Sequence, residues 1–257
     1  MTGALNLLRK SAVDLLKECG LYAVTAMDAA VGRLLDRLEA DGLAEDTLIV
    51  FTSDNGSNMG HHGIWGKGNG TYPPNMYDSS VKVPFLIRAP FLRGGGTVAQ
   101  KSASHCDLFP TILDIASAEY TLTDKQPGTS LLPYLKNGCA DDGDDRIIEI
   151  HDEYGFVRML RSNRWKLVLR YRNNDNELYD MIADPYETTN RIDDPSLAGV
   201  VDELTAALED WFDRYSDPVN DGKKSLTLTG SGQRDLCYKD DAFANWNRMY
   251  YTNENPI

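Results

Sequence analysis

Apolar residues recur along this chain with two different periods, and the change falls near residue 146. Before it the spacing is helical over residues 5–19 and again over 24–40. In the second segment Met27, Ala30, Val31, Leu34, Leu35 and Leu38 share one stripe, with Arg33, Asp36, Arg37 and Glu39 largely off it. Gly42 predicts the end of that helix. "LIVFTS" (48–53) follows as an unbroken apolar run. Fed by a helix and apolar on both faces, it predicts a central parallel strand of an α/β sheet. "VPFLIRAP" (83–90) predicts a second strand, bracketed by Pro84 and Pro90. "HCDLFPTILDIASA" predicts a helix, with Asp107 at its N-cap and Pro110 in its first turn.

After residue 146 the segments shorten. "IIEI", "GFVRMLRS", "RWKLVLRY" and "NELYD" are β-rich and divided by turn residues, which predicts an antiparallel meander. "SLAGVVDELTAALEDWFDRY" predicts an amphipathic helix capped by Ser196. The last forty residues are polar. Their Trp246, Tyr250 and Tyr251 either pin the tail to the body or offer faces for stacking on a ring. The pattern divides the chain at about residue 140, into 1–140 and 141–257.

Composition narrows the picture. With 42% hydrophobic and 25% charged residues the chain is ordinary for a globular protein. A net charge of −13 argues against nucleic acid and anionic membrane as partners, while leaving room for an anionic small substrate in a locally cationic pocket. No apolar run approaches the roughly 18 residues of a membrane span. Charges interrupt the apolar positions of the first twenty residues, so they do not read as a leader. Cys19, Cys106, Cys139 and Cys237 form no CxxC and no metal spacing, which leaves free thiols or one disulfide. "DDGDD" (141–145) reads as a solvated turn, because it lacks the Gly and Glu positions of an EF-hand loop. His105 and His151 read as structural hydrogen-bonding residues.

The candidate chemistry lies in "TSDNGSNMGHHGIWGKG" (52–68), where one Asp, two Asn, two adjacent His and one Lys stand among five Gly. In open α/β sheets ligands bind beyond the carboxyl ends of strands, and Asp54 and Asn55 follow such a strand. Their oxygens suit a hard cation such as Ca²⁺ or Mg²⁺. "DNG" is equally a common turn, so the residues alone leave turn and metal site both open. Lys67, between two glycines, is either a solvated cation or a point charge for a bound phosphate or sulfate. His61 and His62 are either loop residues or hydrogen-bond donors to a leaving oxygen.

The stretch "YAVTAMDAAVGRLLDRLEADGLAEDTLIVFTSDNG" and the following "GHHGIWGKGNGTYPPNMYDSSVKVPFLIRAP" resemble the formylglycine-dependent sulfatases of the alkaline-phosphatase superfamily. "SASHCDLFPTILDIA", "GTSLLPYLKNG" and "VRMLRSNRWKLVLRYRNNDNELYDMIADPYETTN" are similar to that family's later elements. The likeness covers about residues 20–215. It implies a sulfatase α/β sheet segment with helices on both faces within 1–140. A small antiparallel subdomain with a helix would follow. It further implies Asp54 and Asn55 as Ca²⁺ ligands, Lys67 as the residue contacting sulfate and leaving-group oxygen, and His62 at the substrate rim. Tyr77, Ser79 and Ser80 would be structural. Asn at position 55 points towards Ca²⁺ and the sulfatase rather than the phosphonate-hydrolase branch.

The family's Cys/Ser-x-Pro-x-Arg motif, source of the formylglycine nucleophile, occurs nowhere in the chain. Nor are two oxygens enough for Ca²⁺, which takes 6–8. The resemblance is therefore to the C-terminal half of a sulfatase. Three arrangements follow: part of a longer enzyme for a sulfated small molecule or glycan, one piece of a split enzyme that assembles with an N-terminal half, or a non-catalytic relative that binds a sulfated glycan or a partner. In each the chain by itself is expected to hydrolyse little or nothing.

Overall fold

A computed structural model describes residues 2–92, 96–121, 125–138, 145–151, 156–172, 175–218 and 221–224; for 2–19, 151 and 224 it describes the backbone only. The tail aromatics, Cys139, Cys237 and most of "DDGDD" lie outside these residues, as do the side chains of Cys19 and His151. Cys106 is a free, exposed thiol.

The chain divides into two compact units. The first comprises residues 1–51 and 85–95. It contains helix α1 (Thr2–Ala40), most of strand β1 (Ile49–Thr52), and strand β4 (Phe85–Arg88), which pairs with β1. The two helices expected over 5–19 and 24–40 are one. Nothing between them is a proline, and a lone Gly20 costs a helix only about 1 kcal/mol. The helix ends where expected, and Gly42 takes φ +70° beyond it. The expected stripe is covered only in part. Val31, Leu35 and Leu38 are half-buried, whereas Met27 and Leu34 are exposed. Leu21 and Tyr22, 67% and 75% exposed, extend the open apolar surface. The expectation of a central strand is not met among the described residues. β1 has one neighbour, β4, and its four residues are half-buried.

The second unit comprises residues 52–84 and 96–257. It holds the hairpin strands β2 (Asn58–Met59) and β3 (Trp65–Gly66) and the helices α2 (Asp78–Val81), α3 (Leu108–Ile115) and α4 (Leu132–Lys136). It also holds the strands β5 (Ile148–His151), β6 (Val157–Arg161), β7 (Trp165–Arg170) and β8 (Glu177–Asp180), and helix α5 (Ala198–Tyr215). β5 to β8 form the expected antiparallel meander in chain order. Register sets Met159 opposite Val168 and Val168 opposite Glu177.

Alternation gives this sheet two buried faces. Leu160, Leu167, Leu169 and Leu178 pack against Leu204, Leu208 and Phe212 of α5. Val157, Met159 and Val168 pack with Met76 and with half-buried Tyr72 and Val81. Each large side chain so buried contributes roughly 1.5–3 kcal/mol. The second face therefore clamps the segment 72–81, and that segment carries the functional loop.

Two expected caps are reassigned. The carboxylate of Asp194, not Ser196, accepts the N–H that starts the turn before α5. Asp107 stands at the N-cap of α3, but its carboxylate does not cap the helix. It accepts instead from the backbone of Ser104 and Thr129 and from both Nη atoms of Arg146, at 2.6 and 2.7 Å. A fully buried carboxylate needs such a partner. Among the described residues no helix is long and apolar enough to cross a membrane.

Candidate functional site

Residues 53–68 form a loop whose shape is set by side-chain amides and hydroxyls. Asn58 is buried. Its Nδ2 donates to Gly66 O at 3.1 Å and to Ser80 Oγ at 2.6 Å, and its Oδ1 accepts from Ser79 Oγ at 2.5 Å. Asn75, also buried, accepts from Ser80 Oγ at 2.6 Å and donates to Gly68 O at 2.9 Å. Backbone bonds from Gly56 to Ser80 and from Asn75 to Gly68 complete the brace. Ser79 and Ser80 are structural, as expected. Gly56 is required by close approach: a Cβ there would stand 2.3 Å from Ser79 O.

Against this brace, the expected ligand groups are left open. Asp54 is exposed, and its carboxylate has only a long 3.4 Å contact from Ser53 Oγ; the Asn55 side chain and the Lys67 ammonium have no protein partner among the described residues. The β2–β3 register pairs Asn58 with Gly66. Lys67 therefore leaves the hairpin at the end where the chain from Asp54 and Asn55 enters it, so in chain order the three candidates flank its open end.

His62 occupies the other end. It lies at the tip with φ 51° and stacks on the buried Tyr77 ring, centroids 3.8 Å apart and planes 11° from parallel. Burial, with the nearby His61 and Lys166 charges, holds the imidazole down to about 4, against an opposing pull from Asp184. It is therefore neutral near pH 7, and its chemistry there is that of one hydrogen-bond donor and one acceptor. The two groups read together from sequence, Lys67 and His62, are held by different means.

Behind Tyr77 lies a cluster that the motif reading passed over. Lys166 is fully buried, and its Nζ donates to Met76 O at 2.8 Å and to Asp78 and Glu187 at 2.5 Å each. Burial pushes Glu187 up. Burial acts the same way on Asp78, but the Lys166 and Arg161 charges outweigh it and hold Asp78 down. Arg170 on the same strand face pairs with Glu177 at 2.8 Å and donates to Pro74 O. The signal was available in "RWKLVLR", where Lys166 and Arg170 share one face of a strand otherwise built to be buried.

A calcium site can be judged on these residues. Asp54 and Asn55 supply oxygen donors of suitable chemistry, and among the described residues only the long Ser53 contact competes for them. Among the described residues no group of three or more His, Cys, Asp or Glu could hold a metal ion. The donors suit the ion but do not complete its shell.

The sequence profile of the family described as Sulfatase matches residues 16–118. The chain is 32% identical over 219 residues to an N-acetylglucosamine-6-O-sulfatase of Bacteroides thetaiotaomicron, covering 82% of this chain and 38% of the relative. It is 33% identical over 204 residues to the uncharacterized sulfatase YidJ of Escherichia coli, covering 78% and 39%. Among solved structures, BT4656, described in complex with its substrate D-glucosamine-2-N,6-O-disulfate, superimposes with TM-score 0.67 at 31% identity, covering 77% of this chain and 40% of that one. A phosphonate monoester hydrolase of Agrobacterium radiobacter superimposes with TM-score 0.59 at 30% identity, covering 72% and 38%. The chain thus spans about two fifths of the length of these relatives.

Proposed function

The chain belongs to the sulfatase family, in the alkaline-phosphatase superfamily, and on that premise we propose that it supplies the cation and part of the metal site of a sulfuric ester hydrolase. One observation carries the reading. Asn58, Asn75, Ser79 and Ser80 brace the loop, while among the described residues Asn55 and Lys67 have no side-chain partner and Asp54 has only the long contact from Ser53. Polar groups held in place yet left open are what a ligand site requires.

In this reading Asp54 and Asn55 hold Ca²⁺, and Lys67 faces the bridging oxygen of a sulfate ester. Its ammonium interacts more strongly as that oxygen becomes anionic, so the contact acts in the transition state. His62 lies at the substrate rim as a neutral hydrogen-bonding ring. When bound, calcium and formylglycine would supply, respectively, positive charge for the sulfate oxygens and the nucleophile. The chain has no Cys/Ser-x-Pro-x-Arg motif to yield the latter, so it should be inactive by itself. The substrate class is a sulfated small molecule or glycan.

The partner that completes the site is an N-terminal sulfatase half, joined in one polypeptide or supplied separately. The exposed Leu21, Tyr22, Val24, Met27 and Leu34 of α1 support this, since a globular unit seldom leaves so much apolar helix in water. With that half, β1 and β4 would join an alkaline-phosphatase-like sheet with helices on both faces. Residues 1–140 would belong to the catalytic domain and 141–257 to the C-terminal subdomain. The missing nucleophile motif favours the second reading, a non-catalytic protein that binds a sulfated glycan or a partner.

Hydrolysis of an aryl sulfate and of an aryl phosphonate monoester tests the proposal. The chain alone should match the buffer blank with both. Mixed with a separately expressed N-terminal half whose Cys or Ser has been converted, it should turn over the sulfate faster. Faster phosphonate hydrolysis would reassign the substrate class. No turnover after stable association would favour the binding protein.

A further inference from the structure

We propose that Lys166 is a positioning residue for His62, acting through Tyr77 to fix the plane in which the imidazole meets the substrate. The inference deepens the reading above and rests on His62 facing the substrate.

The peptide groups on either side of Tyr77 are tied to one cluster. Met76 O accepts from Lys166 Nζ, and Asp78 N donates to Glu187 Oε2 at 2.7 Å. Lys166 also holds the carboxylates of Asp78 and Glu187, so a single ammonium joins both ties. Tyr77 thus has little freedom to rotate about its own backbone. Its ring packs with Ile64, Tyr179 and Met181 and lies flat against His62. His62 has a positive φ, uncommon for a residue with a Cβ, so its backbone does not favour this pose unaided. The stack supplies the support, and Lys166 supports the stack. The charged and titratable groups acting on the ring are His61, Lys166 and Asp184, and the low His62 value agrees with a ring held partly buried beside a cation. A ring fixed in this way directs one donor and one acceptor, which selects among substrates by the placement of a hydroxyl rather than by charge.

Lys166 is also a structural residue, so the test must read His62 itself. The chain has four histidines, and a His62→Gln variant assigns the His62 signals by NMR. In the parent chain those ring protons should carry the shielding of the Tyr77 face and titrate near 4. In Lys166→Met/Glu187→Gln, which leaves no buried carboxylate at position 187, the shielding should fade and the titration rise towards the ordinary value of about 6.5. Arg146→Met/Asp107→Asn, which removes a different buried ion pair, should leave both readouts in place. If the Lys166 double variant does not fold, Lys166→Arg carries the test. Its larger planar head cannot keep all three contacts in a closed site, so His62 should still move. A parent His62 without ring shielding overturns the proposal. So does a His62 unmoved by the Lys166 changes, or moved equally by the Arg146 and Asp107 change. None of these readouts needs a substrate. Failed sulfate hydrolysis would therefore leave the inference standing, and an unmoved His62 would sink it without affecting the role of Lys67.

Discussion

Asp54 and Asn55 are aimed by a neighbour that has no side chain. Gly56 passes so close to the backbone of Ser79 that a methyl group cannot fit without parting the two segments. Gly56→Ala should therefore lower stability by about 1–3 kcal/mol, the usual range for overpacking. Gly199→Ala in α5, where nothing lies within 4 Å, should leave stability unchanged or raise it by up to about 1 kcal/mol. Urea midpoints of the two variants check the contrast; similar midpoints would mean that the loop is not held against Ser79. Calcium gives a second check at this scale. With two oxygens of the required 6–8, the isolated chain should bind Ca²⁺ only at about millimolar affinity or weaker by calorimetry. Micromolar binding lost in Asp54→Ala would mean that the site is complete within this chain. The open residues of the loop were legible in sequence because "SDNG" and "GKG" combine ligand chemistry with pliable backbone. The brace was not. Asn58, Asn75, Ser79 and Ser80 act across up to 22 residues, and no local spacing reveals which amides face inward.

At the scale of elements, the β5–β8 sheet supports the loop from behind. Its meander was visible as period-two alternation, and α5 as a helical stripe, because both patterns are local. Three features were not visible. Nothing in the sequence between 19 and 24 forces a break, so α1 runs on. Asp194 took the cap assigned to Ser196 two residues early. The side chains covering the second sheet face came from 72–81, far away in sequence. Within this sheet Glu149 gives a pH prediction. Burial is the main cause that raises its carboxyl to about 7, against the pull of its own backbone and of Arg146. A raised folded-state value means that stability is fully present below the unfolded value of about 4.5 and is lost as pH rises through about 7. Glu149→Gln mimics the protonated form and removes this loss. The gain of the variant over the parent should grow from pH 4.5 to 7 and then level off, as measured by denaturant midpoints. A gain that shrinks with pH would contradict it. His62 acts in the opposite sense: its lowered value reduces stability as pH falls from about 6.5 towards 4.

At the scale of the molecule, two kinds of surface coexist. The C-terminal sheet packs against α5 on one face and against the segment 72–81 on the other. The first unit pairs β1 with β4 alone among the described residues and leaves part of the apolar surface of α1 exposed. The account joins these facts to the family match. In the proposed reading the braced loop offers part of a site, and an N-terminal sulfatase half would cover the open surface and bring the nucleophile. Its central claim is that Lys67 is the cation of that site. The most direct measurement is kcat for aryl sulfate hydrolysis by the chain reconstituted with an N-terminal half, comparing the parent with Lys67→Ala. Loss of one preorganised charge contact should lower kcat by roughly two to three orders of magnitude, with association of the halves unchanged. Turnover equal to the parent in Lys67→Ala would show that the chemistry lies elsewhere and would contradict the account.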